Sequence, residues 1–297
     1  MPEVLKQRTA LKTEVDTILK DVTRSEMPLV FEKCLAIAQM DAEERSIYSR
    51  VGVSVETIPQ GVTVTYPNTG KTSLYITEDG TSIETVTELP TVYPLEYFVS
   101  IKPQISLEDV IRKQFDAGAR LTDTISKHML YEENRVLFRL LAKAVQVTGN
   151  SISFRFLKCP LLNRIISKVS KHYYKNIFFN AKNTAIVEGH IAAKIVCTQA
   201  AYNKLLNLLS YADMTVDEFK SSYNMSDIIV VDAPANLYGI DDRIFFIPNK
   251  LTMFERVRIP WFSAFDTTKG LEYSALIAKS QSTALLDVTQ VVELVLS

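Results

Sequence analysis

Several residue groups have types and spacings that would do chemistry if they formed a site. Gly70-Lys71-Thr72 carries the end of a phosphate loop, in which backbone amides cradle phosphates and the lysine reaches them. The full motif needs a glycine where Thr65 stands, and strand-forming sequence flanks the triplet where a helix should follow. It reads as a solvated hairpin tip. Gly52-x-Ser54-x-Glu56 is one residue short of a nucleophile elbow and lacks the sharp strand-to-helix turn. His128, His172 and His190 match neither H-E-x-x-H nor a Cys–His metal spacing. The pair His128–Glu132, at i,i+4, reads as a surface hydrogen bond and not as a general-base couple. Asp227, Asp232, Asp241 and Asp242 surround strands and a loop without calcium-loop spacing, and read as loop solvation or a subunit contact. The basic stretch Arg164–Lys175 mixes lysines with aromatics, as nucleic-acid surfaces do, but in a neutral chain it reads as a solvated helix face. No catalytic, cofactor or metal motif stands out, so no enzyme, cofactor or metal is expected.

Composition narrows the class. The chain has 297 residues, 47% of them hydrophobic, enough for a substantial core. Thirty-three basic residues against 34 acidic ones argue against a dedicated nucleic-acid binder. The first residues, MPEVLKQRTALKTEVD, do not form a signal peptide, and no uncharged apolar run reaches the roughly 18 residues of a membrane span. Cys34, Cys159 and Cys197 are far apart and odd in number, and read as buried thiols in a reducing compartment.

Elements that would position these residues follow from periodicity. Residues 1–45 read as two helices, the first of which could be a detached arm. From residue 50 the chain turns rich in Val and Thr. VTVTY, SLYIT and SIETV read as strands, with turns at Pro67–Gly70 and Asp79–Gly80. This stretch has too few large apolar residues to make its own core and needs a neighbouring domain or subunit. Ser106–Asp109 has the form of a capping box opening a helix that would run to about residue 146, roughly 60 Å at 1.5 Å per residue, with a slip near Gly118. The sequence VTGN stops it. SISFRFL, KIVCT, SDIIVVDAP and DRIFFIPN read as strands, QAAYNKLLNLLSYA as a helix, and Thr215–Glu218 as a second capping box. LEYSALIAK and ALLDVTQVVELVL read as two strands around a turn at SQST. The class is α+β without regular βαβ alternation.

The order of these parts carries a resemblance. A helical arm, a Thr/Val-rich two-stranded excursion, the strand in LPTVYPLEYFVSIKPQISLED and a long helix closing in LYEENRVLFRLLAKA together resemble the Hong Kong 97-type major capsid proteins of tailed phages and related viruses. The segment Glu132–Phe138 is similar to the acidic end of that family's spine helix. KIVCTQAAYNKLLNLLSYA is similar to its axial strand–helix unit, SDIIVVDAP with RIFFIPN to paired strands that follow, and the last 27 residues to its closing strands.

The resemblance implies an N-terminal helical arm at 1–47, an extended hairpin loop at 48–92 and a peripheral domain with the spine helix at 93–180. An axial domain would follow at 181–250, with closing strands returning to the peripheral domain at 251–297. It implies a shell subunit that assembles in the host cytoplasm into hexamers and pentamers of an icosahedral virion. Portal, scaffolding and decoration proteins would be its partners, with weak non-specific contact to packaged DNA and no membrane. The extended loop and the arm would lie across neighbours. Lys71 stands where some relatives place a cross-linking lysine, and reads here as a solvated one. Lys71, Glu132, Glu133 and Arg135 are the expected inter-subunit contacts. Two alternatives are an encapsulin-like nanocompartment shell and an enzyme with a nonstandard site in residues 181–250.

Overall fold

The computed structural model describes residues 2–20, 26–57, 72–76, 83–87, 93–106, 116–154, 193–211, 213–231, 242–251, 253–267, 272–285 and 291–296. Helices α1 (Pro2–Lys20), α2 (Met27–Arg45) and α3 (Ile47–Val51) come first. Strands β1 (Ser54–Thr57), β2 (Thr72–Ile76), β3 (Ile83–Thr87), β4 (Tyr93–Ile101) and β5 (Gln104–Ser106) follow, then the long helix α4 (Ala117–Thr148) and strand β6 (Ser151–Phe154). Strand β7 (Lys194–Thr198), helices α5 (Gln199–Tyr211) and α6 (Val216–Tyr223) and strands β8 (Asp227–Val231) and β9 (Arg243–Ile247) come next. The chain closes with β10 (Met253–Thr267), β11 (Glu272–Leu285) and β12 (Val292–Leu296).

The strands form two main sheets. In the first, β1, β10, β11 and β4 lie in that order and β5 also pairs with β11. The second runs β6-β12-β9-β7-β8. Among the described residues, strands β2 and β3 pair only with each other, Thr72 opposite Thr87 through Ile76 opposite Ile83.

The second sheet is covered on both faces, which is why its strands are continuous apolar runs and do not alternate with polar residues. Ile195, Cys197, Ile244, Phe246, Val292 and Leu294 face a core closed by α5 and α6. Their neighbours Val196, Ile229, Phe245 and Ile247 face α3 and the second half of α4. Helix α2 is buried around much of its circumference, with Met27, Val30, Phe31, Cys34 and Ile37 all within the core. It lies between α1, α4 and the first sheet.

The long helix is shorter than its sequence suggests. Ser106 ends β5 opposite Glu272, and the rest of the expected capping box, residues 107–109, lies outside the described residues. The observed helix starts after Asp116, whose carboxylate accepts the Ala119 N–H at 2.9 Å, and spans 32 residues, about 48 Å. The slip near Gly118 has a packing cause: a Cβ there would sit 2.7 Å from Val15 Cγ1 and 3.3 Å from Leu19 Cδ1, because α1 crosses α4 at this point. Gly149 closes the helix in the left-handed conformation, φ 71°, its N–H bonded to Val145 O.

Other expectations change as well. Helix α1 is not detached: Val15 is buried, Arg8 pairs with Asp41 at 2.6 Å, and Lys33 pairs with Glu14. No turn interrupts β11, which runs through SQST while paired to both β10 and β4. Strands β8 and β9 flank β7 and do not pair with each other. The closing strands divide between the sheets, β10 and β11 joining the first and β12 the second, so the second sheet draws β6 and β12 from outside 181–250. VTVTY, both hairpin turns and the basic stretch 164–175 lie outside the described residues.

Two substitutions test the role of α4. Leu137→Ala, at a fully buried site, should lower unfolding stability by about 2–5 kcal/mol in chemical denaturation. Gly118→Val should cost about 1–3 kcal/mol by overpacking and expose α1 to limited proteolysis.

Candidate functional site

The middle of α4 gathers three of the four expected contact residues. Arg135 Nη2 lies 2.7 Å from Glu132 Oε2, one helical turn away, and both side chains are half-buried. Glu133 faces the α2–α3 corner, where the Ser46 hydroxyl donates to its Oε2 at 2.8 Å. The same hydroxyl accepts the Tyr48 N–H at 3.1 Å and so caps α3. Glu133 is therefore engaged within the chain. His128 is exposed and stands edge-on to Tyr131 at 6.2 Å, while Glu132 takes Arg135 in place of the expected His128. Lys71 lies outside the described residues.

A cleft of about 480 Å³ opens beside Glu133, between the α2–α3 corner, α4, β1 and the β10–β11 hairpin. Its walls include Met129, Val55, Trp261 and Lys279. Lys279 is 91% buried, by its 9% exposure, and its ammonium stands 5.9 Å from the Trp261 ring centroid, a cation–π contact in a largely desolvated place. Sequence reasoning missed this pair. Lys279 is one apparently solvated charge beside a supposed turn, and only the pairing of β10 with β11 brings the two residues together. The alternation along β11 was the available signal, since it places Lys279 on the same side as buried Ala275 and Ile277.

A second unexpected feature is Glu293, 4% exposed, in the middle of β12. Its carboxylate takes Arg243 Nη1 at 3.1 Å and the Ser151 hydroxyl at 2.9 Å, joining β6, β12 and β9 on one face. A buried carboxylate persists when both its charge and its lone pairs are met.

The remaining candidates disperse. Asp227 pairs with Arg50 at 2.7 Å and Asp242 with Lys204, while Asp232, Asp241, His172, His190 and Cys159 lie outside the described residues. Among the described residues no group of three or more His, Cys, Asp or Glu could hold a metal ion, and no helix is long and apolar enough to cross a membrane. Burial pushes the Cys34 thiol up to about 11 and the Cys197 thiol up to about 12, so both stay protonated near neutrality.

No protein-family model matches the chain, and no curated protein is significantly similar to it. Solved structures are similar in fold. A phage-related protein from Bordetella bronchiseptica aligns over 87% of this chain and 95% of that one, at 10% identity and a TM-score of 0.50. A structure from Microbacterium phage Oxtober96 aligns over 85% and 90%, at 12% identity and a TM-score of 0.50. The capsid structure of cyanophage P-SCSP1u aligns over 85% and 88%, at 9% identity and a TM-score of 0.48. At such identities the likeness is one of fold: the chain has the Hong Kong 97-type capsid fold.

A double-mutant cycle of Ser46→Ala and Glu133→Ala should give a coupling of about 1.5–3 kcal/mol in chemical denaturation, the size of one part-buried hydrogen bond to a charged group. Peptide mapping after exposure to a thiol reagent at pH 8 should find Cys34 and Cys197 unmodified in the native protein and modified after unfolding.

Proposed function

We propose that this chain is the structural subunit of an icosahedral, tailed-phage-like shell, assembling into hexamers and pentamers around a double-stranded DNA genome. The observation that carries the reading is the fold shared with the two phage-related structures over most of the chain. The β2–β3 hairpin adds physical support. It is a two-stranded sheet with no third strand among the described residues, and such hairpins are marginal in water without a surface to lie on. A neighbouring subunit supplies that surface in this reading, with 48–92 as the extended loop and the arm at 1–47 making further contacts.

Lys71, Glu132, Glu133 and Arg135 are the proposed inter-subunit residues, Glu133 acting through the α2–α3 corner it already holds. The near-neutral chain suits a wall that confines DNA without gripping it. Portal, scaffolding and decoration proteins would complete the particle, which is assembled in the host cytoplasm.

Electron microscopy of the purified protein tests the reading. Closed shells, tubes or capsomer rings are expected. A monodisperse small oligomer under every assembly condition would sink it. Replacing residues 72–87 with a short Gly-Ser linker should leave the circular dichroism and unfolding transition of the subunit nearly unchanged while abolishing closed particles.

A further inference from the structure

We propose that a second cleft, on another side of α4, is an oxyanion site that takes a phosphate group. It measures about 270 Å³ and lies between the α2–α3 corner, α4 and strand β8. Arg45, Arg50, Lys127 and Asn134 line it, together with residues 229–231 of β8.

Four observations converge on an anion. First, three cations meet only two carboxylates. Arg50 pairs with Asp227 at 2.7 Å and Lys127 with Asp123 at 2.7 Å, whereas Arg45 has no carboxylate within ion-pair distance among the described residues. Second, like charges are held close: the Asp123 carboxylate keeps the Lys127 pKa above its usual value against the opposing charge of Arg45. Third, Asn134 lines the cleft, and its side-chain amide has no hydrogen-bond partner among the described residues. An oxyanion in the cleft would accept its N–H. Fourth, among the described residues β8 pairs only with β7, so part of its backbone N–H row has no strand partner there.

The three kinds of donor suit a phosphate. A guanidinium fork and an ammonium supply charge, and the amide and strand edge supply direction. The phosphate can be free or part of a nucleic-acid backbone. The second source rests on the shell reading, because only an enclosed genome would bring backbone phosphates to the protein in quantity.

Phosphorus NMR titration of inorganic phosphate, at constant ionic strength set with chloride, tests the site. Saturable binding is expected in the wild-type chain. Arg45→Gln should weaken it about tenfold, the loss of one charge-assisted contact, and Lys127→Gln should weaken it in the same direction. Arg139→Gln, exposed on α4 and outside the cleft, should leave it unchanged. A 20-base-pair duplex that displaces phosphate from the wild type but not from Arg45→Gln identifies the backbone as the source. Phosphate binding without displacement identifies the free ion. Absence of saturable binding, or binding equally strong in both cleft variants, overturns the proposal. Particle formation is scored separately by microscopy, so a chain that assembles but binds no phosphate removes the cleft and leaves the shell reading intact.

Discussion

Helix α4 belongs to two hydrophobic cores at once. Its first half packs Leu121, Ile125 and Met129 among α1, α2 and the first sheet. Its second half packs Val136, Leu137, Leu141 and Val145 against α3 and the second sheet. Each fully buried side chain of this size contributes about 1.5–3 kcal/mol, so neither core survives without its half of the helix. The helix must therefore stay straight and unbroken across both. The Asp116 cap sets where it can begin, and Gly149 sets where it can end.

The two sheets solve different problems around this helix. The second is sandwiched and has a buried charge network at Glu293, so its strand order is strongly specified. A slipped register would strand that carboxylate away from Arg243 and Ser151. The first sheet is built on the long β10–β11 hairpin and, among the described residues, is left open along much of β10. Strand β1 covers only Phe254–Val257 of its 15 residues, and register shifts beyond Val257 with Pro260 among them disturb the rest of that edge. Such features keep an edge from pairing indiscriminately.

Periodicity made the local structure legible where the chain is regular. KIVCT, the following helix, the Thr215–Glu218 box and the Gly149 stop all lie where their residues indicate, because caps and buried runs are local signals. The α+β class and the capsid-type fold were legible too. Long-range choices were not. SQST reads as a turn by composition, yet β10 and β4 hold it extended from both sides, and tertiary pairing outweighs its weak strand propensity. Ser106 reads as a cap, and its place at the end of β5, paired with β11, is a long-range contact that its neighbours in sequence do not announce. Among the candidate residues, Glu132, Glu133 and Arg135 were visible as the polar side of a helix. Their half-burial was not, since it depends on what packs beside them.

That half-burial follows from the two-core arrangement. Between Leu130 and Val136 the helix leaves one core and enters the other, and no single apolar surface can follow it across. The residues of this waist are accordingly polar: Tyr131, Glu132, Glu133, Asn134 and Arg135. Packing is incomplete there, and clefts open on two sides. Met129 and Glu133, one turn apart, border one of them; Lys127, Leu130, Tyr131 and Asn134 border the other. The bonds that cross the waist are polar and directional, Ser46 to Glu133 above all. A helix shared by two cores thus has its least packed and most chemically varied surface at its centre, where the sequence places its densest run of acids and amides.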